Sequence, residues 1–318
     1  MILIVILLIV FFYSVPIPSF GSHNFYRLNE PLSCKNFNKI IFVSDTQKPI
    51  PVEEIFLSEN HNLLARSMIF EKILKVKPTA VFHLGDIVDF GYDDKTGLPI
   101  DNFVKQLNRE GSLFYPIVGN HEYLLFPNLG VNNFKRRYPF AKLTGYSVTC
   151  GNIEVILLNS VFDDLSPQEI QKQNEFYKNA IRSAEKNDKI KFLIVATHYS
   201  PFTNSKIVSP SEDVQKEFLP LFFNSSKAKL FISGHAHAFE HFKIRGKDFL
   251  VIGGGGGLQQ PLFTGAEEKY HDLFNETLQE RMFHFIEINS VKDTLNVFLN
   301  MIKDDFSGFE QKYEIHIP

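Results

Sequence analysis

Short apolar runs that stop at polar clusters organise this chain. Lys39 to Val43 is a β-rich apolar run ending at Ser44-Asp45, and Ala80 to Leu84 ends the same way at Gly85-Asp86. Leu113 to Val118 ends at Gly119-Asn120-His121, Lys191 to Thr197 at His198, and Lys229 to Ser233 at Gly234-His235. Runs of this length without polar alternation predict buried strands. Asn62 to Lys77 has helical periodicity, with Leu63, Leu64, Met68, Ile69, Ile73 and Leu74 on one side, and Pro78 ends it. Ser166 to Lys186 carries the strongest helix signal. Ser166 suits the cap, Pro167 the first turn, and Glu169 completes a capping box. Tyr146 to Asn159 predicts a hairpin turning at Cys150-Gly151-Asn152. In the last third, Phe242 to Ile252, Met282 to Ile288, Thr294 to Met301 and Tyr313 to Ile317 predict antiparallel strands. The fold class expected is α/β: a two-layer β-sandwich of mixed sheets flanked by α-helices, as one domain over residues 37–318.

Residues 1–13 form an unbroken apolar run, followed by Ser14, Pro16 and Pro18. The run is shorter than the roughly 20 residues of a full membrane span. It reads as the apolar part of a signal peptide over residues 1–21, with a cut after Gly21. No Lys or Arg precedes it, which keeps an uncleaved N-terminal anchor as the alternative. Either way the protein is expected to be exported, as a periplasmic, secreted or cell-surface protein, with membrane attachment only through this segment.

Composition changes the picture little. Apolar residues make up 44% and charged residues 22%, and the net charge is −3, so no nucleic-acid-binding signature is present. Cys34 and Cys150 are the two cysteines. They are compatible with one disulfide in an exported protein or with two buried thiols.

The polar clusters carry the chemistry. They are Asp45-Thr46-Gln47, Gly85-Asp86-Ile87-Val88-Asp89, Gly119-Asn120-His121-Glu122, His198, and Gly234-His235-Ala236-His237. In α/β sheets the carboxyl ends of strands are where ligands bind, so the clusters are expected to converge on one edge. Carboxylates and imidazoles in that number exceed the needs of one ion and suit two, about 3.5–4 Å apart and bridged by a carboxylate. Glycines before Asp86, Asn120 and His235 permit sharp turns where a side chain would crowd the ions. Singly, each cluster is an ordinary turn or cap. Their ordered succession after five buried strands is not.

That succession resembles the calcineurin-like metallophosphoesterases, whose pattern runs Asp-x-His, Gly-Asp-x-x-Asp, Gly-Asn-His-Glu, a strand-end His and Gly-His-x-His. The likeness spans about Ile40 to His237. It implies a metallophosphoesterase-like fold and hydrolysis of a phosphoester, mono- or diester, by a hydroxide bridging two divalent ions (Mn, Fe or Zn). By position it implies that Asp45 and His237 hold the first ion with Gln47 beside them, and that Asp86 bridges. Asn120, His198 and His235 would hold the second. His121 would be the general acid or transition-state donor, oriented by Asp89.

Three positions depart from the pattern. Gln47 stands where the family usually has His, and a weaker amide ligand implies a labile first site or a preference for a harder ion such as Mn²⁺. Phe90 replaces the Arg of the protein serine/threonine phosphatases. Asp89 and Tyr92 do not reproduce the spacing of the tyrosine ligand of purple acid phosphatases. Other segments do resemble that branch: His198-Tyr199-Ser200-Pro201 with Ser205, Gly234 to Glu240, and the five glycines Gly253 to Gly257. Those glycines suit either close approach to a ligand or a flexible loop. His241 could reach the substrate, whereas His83 and His284 read as core or surface residues and Glu122 as shaping its motif turn. Pocket walls are expected from loops at Tyr92 to Pro99, Phe126 to Asn133, Phe202 to Val214 and Leu258 to Phe274. The expected partner is a small phosphorylated substrate. The competing readings are a nucleotide pyrophosphate hydrolase and a surface binding protein that keeps the fold without turnover.

Overall fold

The computed structural model describes residues 32–34, 37–274 and 276–318. In chain order its strands and helices are β1 (Ser33–Cys34), β2 (Ile40–Val43), α1 (Asn62–Val76), β3 (Ala80–His83), α2 (Leu98–Arg109), β4 (Leu113–Pro116), α3 (Pro127–Arg137), β5 (Tyr146–Cys150) and β6 (Ile153–Leu157). There follow α4 (Pro167–Lys186), β7 (Phe192–Thr197), α5 (Glu212–Glu217), α6 (Leu219–Asn224), β8 (Ala228–Ser233), β9 (Phe239–Ile244), β10 (Lys247–Ile252), β11 (His284–Val291), β12 (Thr294–Ile302) and β13 (Phe309–Ile317). The strands make two mixed sheets, ordered β1-β5-β6-β7-β8-β10-β9 and β13-β12-β11-β2-β3-β4.

Each sheet has a parallel block of strands. β2, β3 and β4 run parallel, as do β6, β7 and β8. β7 shows why its run is apolar throughout. Phe192, Ile194 and Ala196 pack into the core between the sheets, while Leu193 and Val195 pack outward with Tyr177 and Ile181 of α4 and with Phe218 and Phe222. A strand covered on both faces has no solvent side to mark with polar residues. The second sheet is covered by α1 and α2, through Ala65, Ile69 and Ile73 and through Ile100, Phe103, Val104 and Leu107. Each fully buried side chain of this kind stabilises by about 1.5–3 kcal/mol before entropy is counted.

Several expectations shift. On α1 the buried positions are Asn62, Ala65, Ile69 and Ile73, whereas Leu63 and Leu64 are exposed. Phe242 to Ile252 lies in a hairpin, β9 and β10, turned by Arg245 and Gly246, both with positive φ. Two of the expected loops start helices. Residues 92–99 run into α2 through a short 3-10 turn, Asp94–Gly97, and residues 126–133 lie largely in α3. α3 is poor in helix formers, and tertiary bonds hold it: Asn133 donates to the carbonyls of Gly91 and Tyr92, and Arg137 to Asp101 and Asp94. Ser166 and Glu169 form both halves of the capping box on α4.

Cys34 and Cys150 form a disulfide, pairing β1 with β5 across 116 residues of sequence. The leader or anchor expected over residues 1–21 lies outside the described residues. Among the described residues no helix is long and apolar enough to cross a membrane.

Candidate metal centre

β2, β3, β4, β7 and β8 deliver their polar clusters to one edge. Asp45 follows β2, Asp86 follows β3, Asn120 and His121 follow β4, His198 follows β7, and His235 and His237 follow β8. Two groups of donor atoms result. Asp86, His198 and His235 offer atoms within 4.8 Å of one another, and so do Asp45, Asp86 and His237. Asp86 belongs to both.

The backbone turns sharply to do this. Asp45, Asp86 and His235 have φ of 59°, 51° and 67°. Left-handed backbone costs an L-residue about 1–2 kcal/mol, a strain that short polar side chains bear best. The turns are tied together, since Asp45 N–H donates to the Gly85 carbonyl (3.1 Å) and Thr46 and Gln47 N–H to the Asp86 carbonyl (2.9 and 3.1 Å). His235 N–H donates to the Asp45 carboxylate at 3.0 Å.

Two glycines make the crowding possible. A Cβ on Gly119 would stand 2.5 Å from Asp86 N and 2.8 Å from His198 Cε1, and one on Gly234 would overlap Ser44 Oγ and Asp45 Oδ2. The run Gly253 to Gly257 is buried and packs behind the site. Gly255 N–H donates to the Ser44 carbonyl and Gly257 N–H to the Asp45 carbonyl, each at 2.9 Å. The run therefore backs Asp45 and is not a free loop.

Three histidines share one device. His198 Nδ1 lies 2.9 Å from the Leu84 carbonyl, His237 Nδ1 2.6 Å from the Leu258 carbonyl, and His121 Nδ1 2.9 Å from the Asp89 carbonyl. A carbonyl only accepts, so each Nδ1 carries the hydrogen and each Nε2 is turned toward the carboxylates. His198 Nε2 lies 3.3 Å from Asp86 Oδ2 and 3.0 Å from Asn120 Oδ1, and His237 Nε2 lies 3.4 Å from Asp45 Oδ1. The orienting contact foreseen for the Asp89 carboxylate is thus made by its main chain. Burial pushes the Asp89 carboxyl itself upward in pKa.

The electrostatics fit a cation site. Burial pushes the Asp45 and Asp86 carboxyls up, but the neighbouring histidines prevail and hold both below the ordinary range. Burial pulls His198 down, yet Asp86 prevails and raises it to about 9. Beside it, burial and the charge on His198 push His235 down to about 3, keeping it a neutral donor. Gln47 Oε1 is buried and, among the described residues, has no hydrogen-bond partner, while Gln47 Nε2 lies 3.2 Å from His237 Nε2. An orphaned oxygen on a side chain that touches an imidazole whose Nε2 carries a lone pair is what a bound divalent ion would satisfy.

Glu122 shapes its turn, accepting from the amides of Gly119 (2.6 Å), Ile87 (2.8 Å) and Asp86 (3.0 Å). Burial and Asp86 push its pKa up to about 7 against those donors. His241 is spoken for within the fold, with Nε2 2.9 Å from Asp248 Oδ1 and Nδ1 3.1 Å from the Tyr313 hydroxyl. His83 is a buried core residue paired with Thr46 Oγ1 at 2.9 Å, and His284 is buried against Gly254. Phe90 and Tyr92 pack together, ring centroids 5.5 Å apart, in a small apolar cluster with Ile50. Sequence reasoning missed Glu53 and Arg66. Glu53 Oε1 lies 3.7 Å from His121 Nε2, and Arg66 donates to the Thr46 carbonyl at 3.1 Å. Neither belongs to a motif, and only the folded chain brings them here.

The profile of the calcineurin-like phosphoesterase family matches residues 38–239, and the chain belongs to that family. Its class is therefore that of the metal-dependent phosphoester hydrolases. No curated protein matches it by sequence. Among solved structures it is similar to a purple acid phosphatase from yellow lupin (Lupinus luteus) seeds, with a TM-score of 0.60, 16% identity, and 87% of this chain and 53% of that one covered. The chain thus spans about half of the lupin enzyme. It is similar also to GAP50 of Plasmodium, described as the anchor in the inner membrane complex (TM-score 0.62, 14% identity, 88% of each chain). A dimetal phosphatase from Danio rerio aligns with a TM-score of 0.52 and 14% identity over 88% of this chain and 98% of that one. At these identities the likeness is one of fold.

Proposed function

We propose that this chain is an exported hydrolase of a small phosphorylated substrate, a mono- or diester, acting with two divalent ions. The observation that carries the reading is Asp86, whose carboxylate belongs to two separate donor groups at once. Asp45, His237 and Gln47 would hold the first ion, Asn120, His198 and His235 the second, and Asp86 both. Two such ions supply a water of lowered pKa and a clamp on the phosphate oxygens.

The chain's own residues do the rest. Asp86 Oδ1 accepts the His121 N–H at 2.8 Å, which fixes the loop carrying His121 to the carboxylate shared by both donor groups. The Asp89 carbonyl holds the His121 ring so that Nε2 faces Glu53 (3.7 Å) and Asp86 (3.9 Å). Burial lowers the His121 pKa, but Asp86, Glu53 and the Asp89 carbonyl outweigh it and raise the net value. A proton on Nε2 would be placed to pass to the departing oxygen. The amide at Gln47 makes the first position the weaker one and favours a hard ion such as Mn²⁺. The apolar run at residues 1–13 and the disulfide support export, since disulfides persist in oxidising compartments.

Metal analysis of the purified protein, with turnover of p-nitrophenyl phosphate, its bis ester and ADP-ribose in added Mn²⁺, tests the reading. Cleavage of ADP-ribose alone would favour the pyrophosphate hydrolase. Two bound metals without turnover on any ester would favour a binding protein, the kind of role named for the Plasmodium anchor. His121→Ala should lower turnover by about 10²–10⁴ with metal content retained. Unchanged turnover removes His121 from the chemistry.

A further inference from the structure

We infer that Tyr199 is a positioning residue for the second ion, and that its ring, in place of a hydrogen bond, aims His235. This rests on the two-ion reading above, in which His235 is a ligand beside Asp86 and His198.

An imidazole turns about two side-chain bonds, so a ligand histidine needs a partner that fixes its ring. For His198, His237 and His121 that partner is a carbonyl at Nδ1. His235 differs. Its main-chain N–H is fastened to the Asp45 carboxylate at 3.0 Å, yet among the described residues neither ring nitrogen has a hydrogen-bond partner. The Ala236 amide donates to the Gly234 carbonyl at 2.8 Å, closing a γ-turn at His235, where φ is 67°. That turn sets where the side chain starts but not where the ring points.

Two neighbouring rings settle the direction. Tyr199 lies against the His235 imidazole with ring centroids 4.4 Å apart and planes tilted by 48°, and His198 meets it at 5.1 Å and 61°. A separation of 4.4 Å is at the near limit of ring contact, which leaves no gap between the two. Tyr199 is itself held in place. Its N–H donates to Oγ of the fully buried Ser160 at 2.7 Å, and its carbonyl accepts from Thr197 Oγ1 at 2.8 Å. Its half-buried side chain packs on both hydrophobic cores. The hydroxyl has no hydrogen-bond partner among the described residues, so the ring makes the contact. Without that ring one face of the imidazole opens, and His235 gains rotamers that miss the donor group it shares with Asp86 and His198.

The test titrates Mn²⁺ into the metal-free protein by calorimetry. Wild type should take up two ions. Tyr199→Ala should weaken one of them by about 10–100-fold, the usual cost of removing a partner that orients a ligand, and leave the other within about threefold. Tyr199→Phe should keep both affinities. Tyr199→Leu fills the space, so it keeps the fold if alanine does not, and without a flat ring it should weaken the same ion by about tenfold. Phe223→Ala removes a ring packed on Phe249 at 5.9 Å in the outer cluster. It should lower the melting temperature and leave both affinities intact, which separates aiming from loss of stability. Wild-type affinities in the alanine or leucine variant, equal weakening of both ions, or a phenylalanine variant as weak as alanine overturns the inference while the two-ion reading stands. A wild type that binds fewer than two ions overturns that reading and this inference with it.

Discussion

Replacing Gly119 with alanine adds one carbon where the site has no room for it. The new Cβ would stand 2.8 Å from His198 Cε1 and 2.5 Å from Asp86 N. To reach an ordinary 3.4 Å contact the ring must withdraw by roughly 0.6 Å. His198 cannot withdraw freely, because Nδ1 is held to the Leu84 carbonyl and Nε2 faces Asp86 and Asn120. Metal ligands must stay within about 0.2 Å of their places. The strain of such overpacking is about 1–3 kcal/mol, which a chain of this size survives, whereas a misplacement near 1 Å at a reacting centre costs about 10²-fold. Gly119→Ala should therefore fold, melt a few degrees lower, and lose the ion at the His198 side first. Circular dichroism, metal content after dialysis against a fixed Mn²⁺ concentration, and turnover read the three effects separately. An alanine variant with wild-type metal content and turnover would refute the crowding on which the site's geometry rests.

Other consequences follow from particular residues. Gln47→His should tighten the first ion, raising the Zn²⁺ retained in a chelator competition; no change would remove residue 47 from the ligand set. Reducing the Cys34–Cys150 disulfide should cost about 2–5 kcal/mol in denaturant titrations, given the 116 residues it closes, and an unmoved midpoint would contradict the bond. Glu240 is buried, accepts from Thr203 and Asn204, and burial pushes its pKa up to about 8. The folded chain then holds a proton that the unfolded chain releases near 4.5. Stability should fall between those pH values by up to about 1.4 kcal/mol per unit and level off above. Glu240→Gln should gain on the wild type across that window, and parallel stability curves would exclude the raised pKa.

The strand ends were legible because β2, β3, β4, β7 and β8 are covered on both faces. Their central residues had to be apolar, which concentrated polar residues where the strands stop. The helix at Pro167 was legible because Ser166, Pro167 and Glu169 act within one turn. α3 was not, because Asn133 and Arg137 stabilise it from partners some 40 residues away. On α1, Leu63 and Leu64 misled, since hydrophobicity does not reveal which arc of a helix a sheet covers. The clusters gave the donor inventory but not its tuning. Glu53 reaches His121 from a loop without a motif, and the partner of His121 Nδ1 proved to be the carbonyl of Asp89, which no side-chain pattern records.

That last device bears on how such a site tolerates mutation. The rings of His198, His237 and His121 are aimed by the carbonyls of Leu84, Leu258 and Asp89. Every amino acid possesses a carbonyl, proline included. Substitution at 84, 258 or 89 can change what surrounds the ring but cannot delete its anchor while the backbone path is kept. The aiming of the histidines is therefore inherited with the path of the chain, and a lineage can exchange most of its side chains while the three rings keep pointing inward.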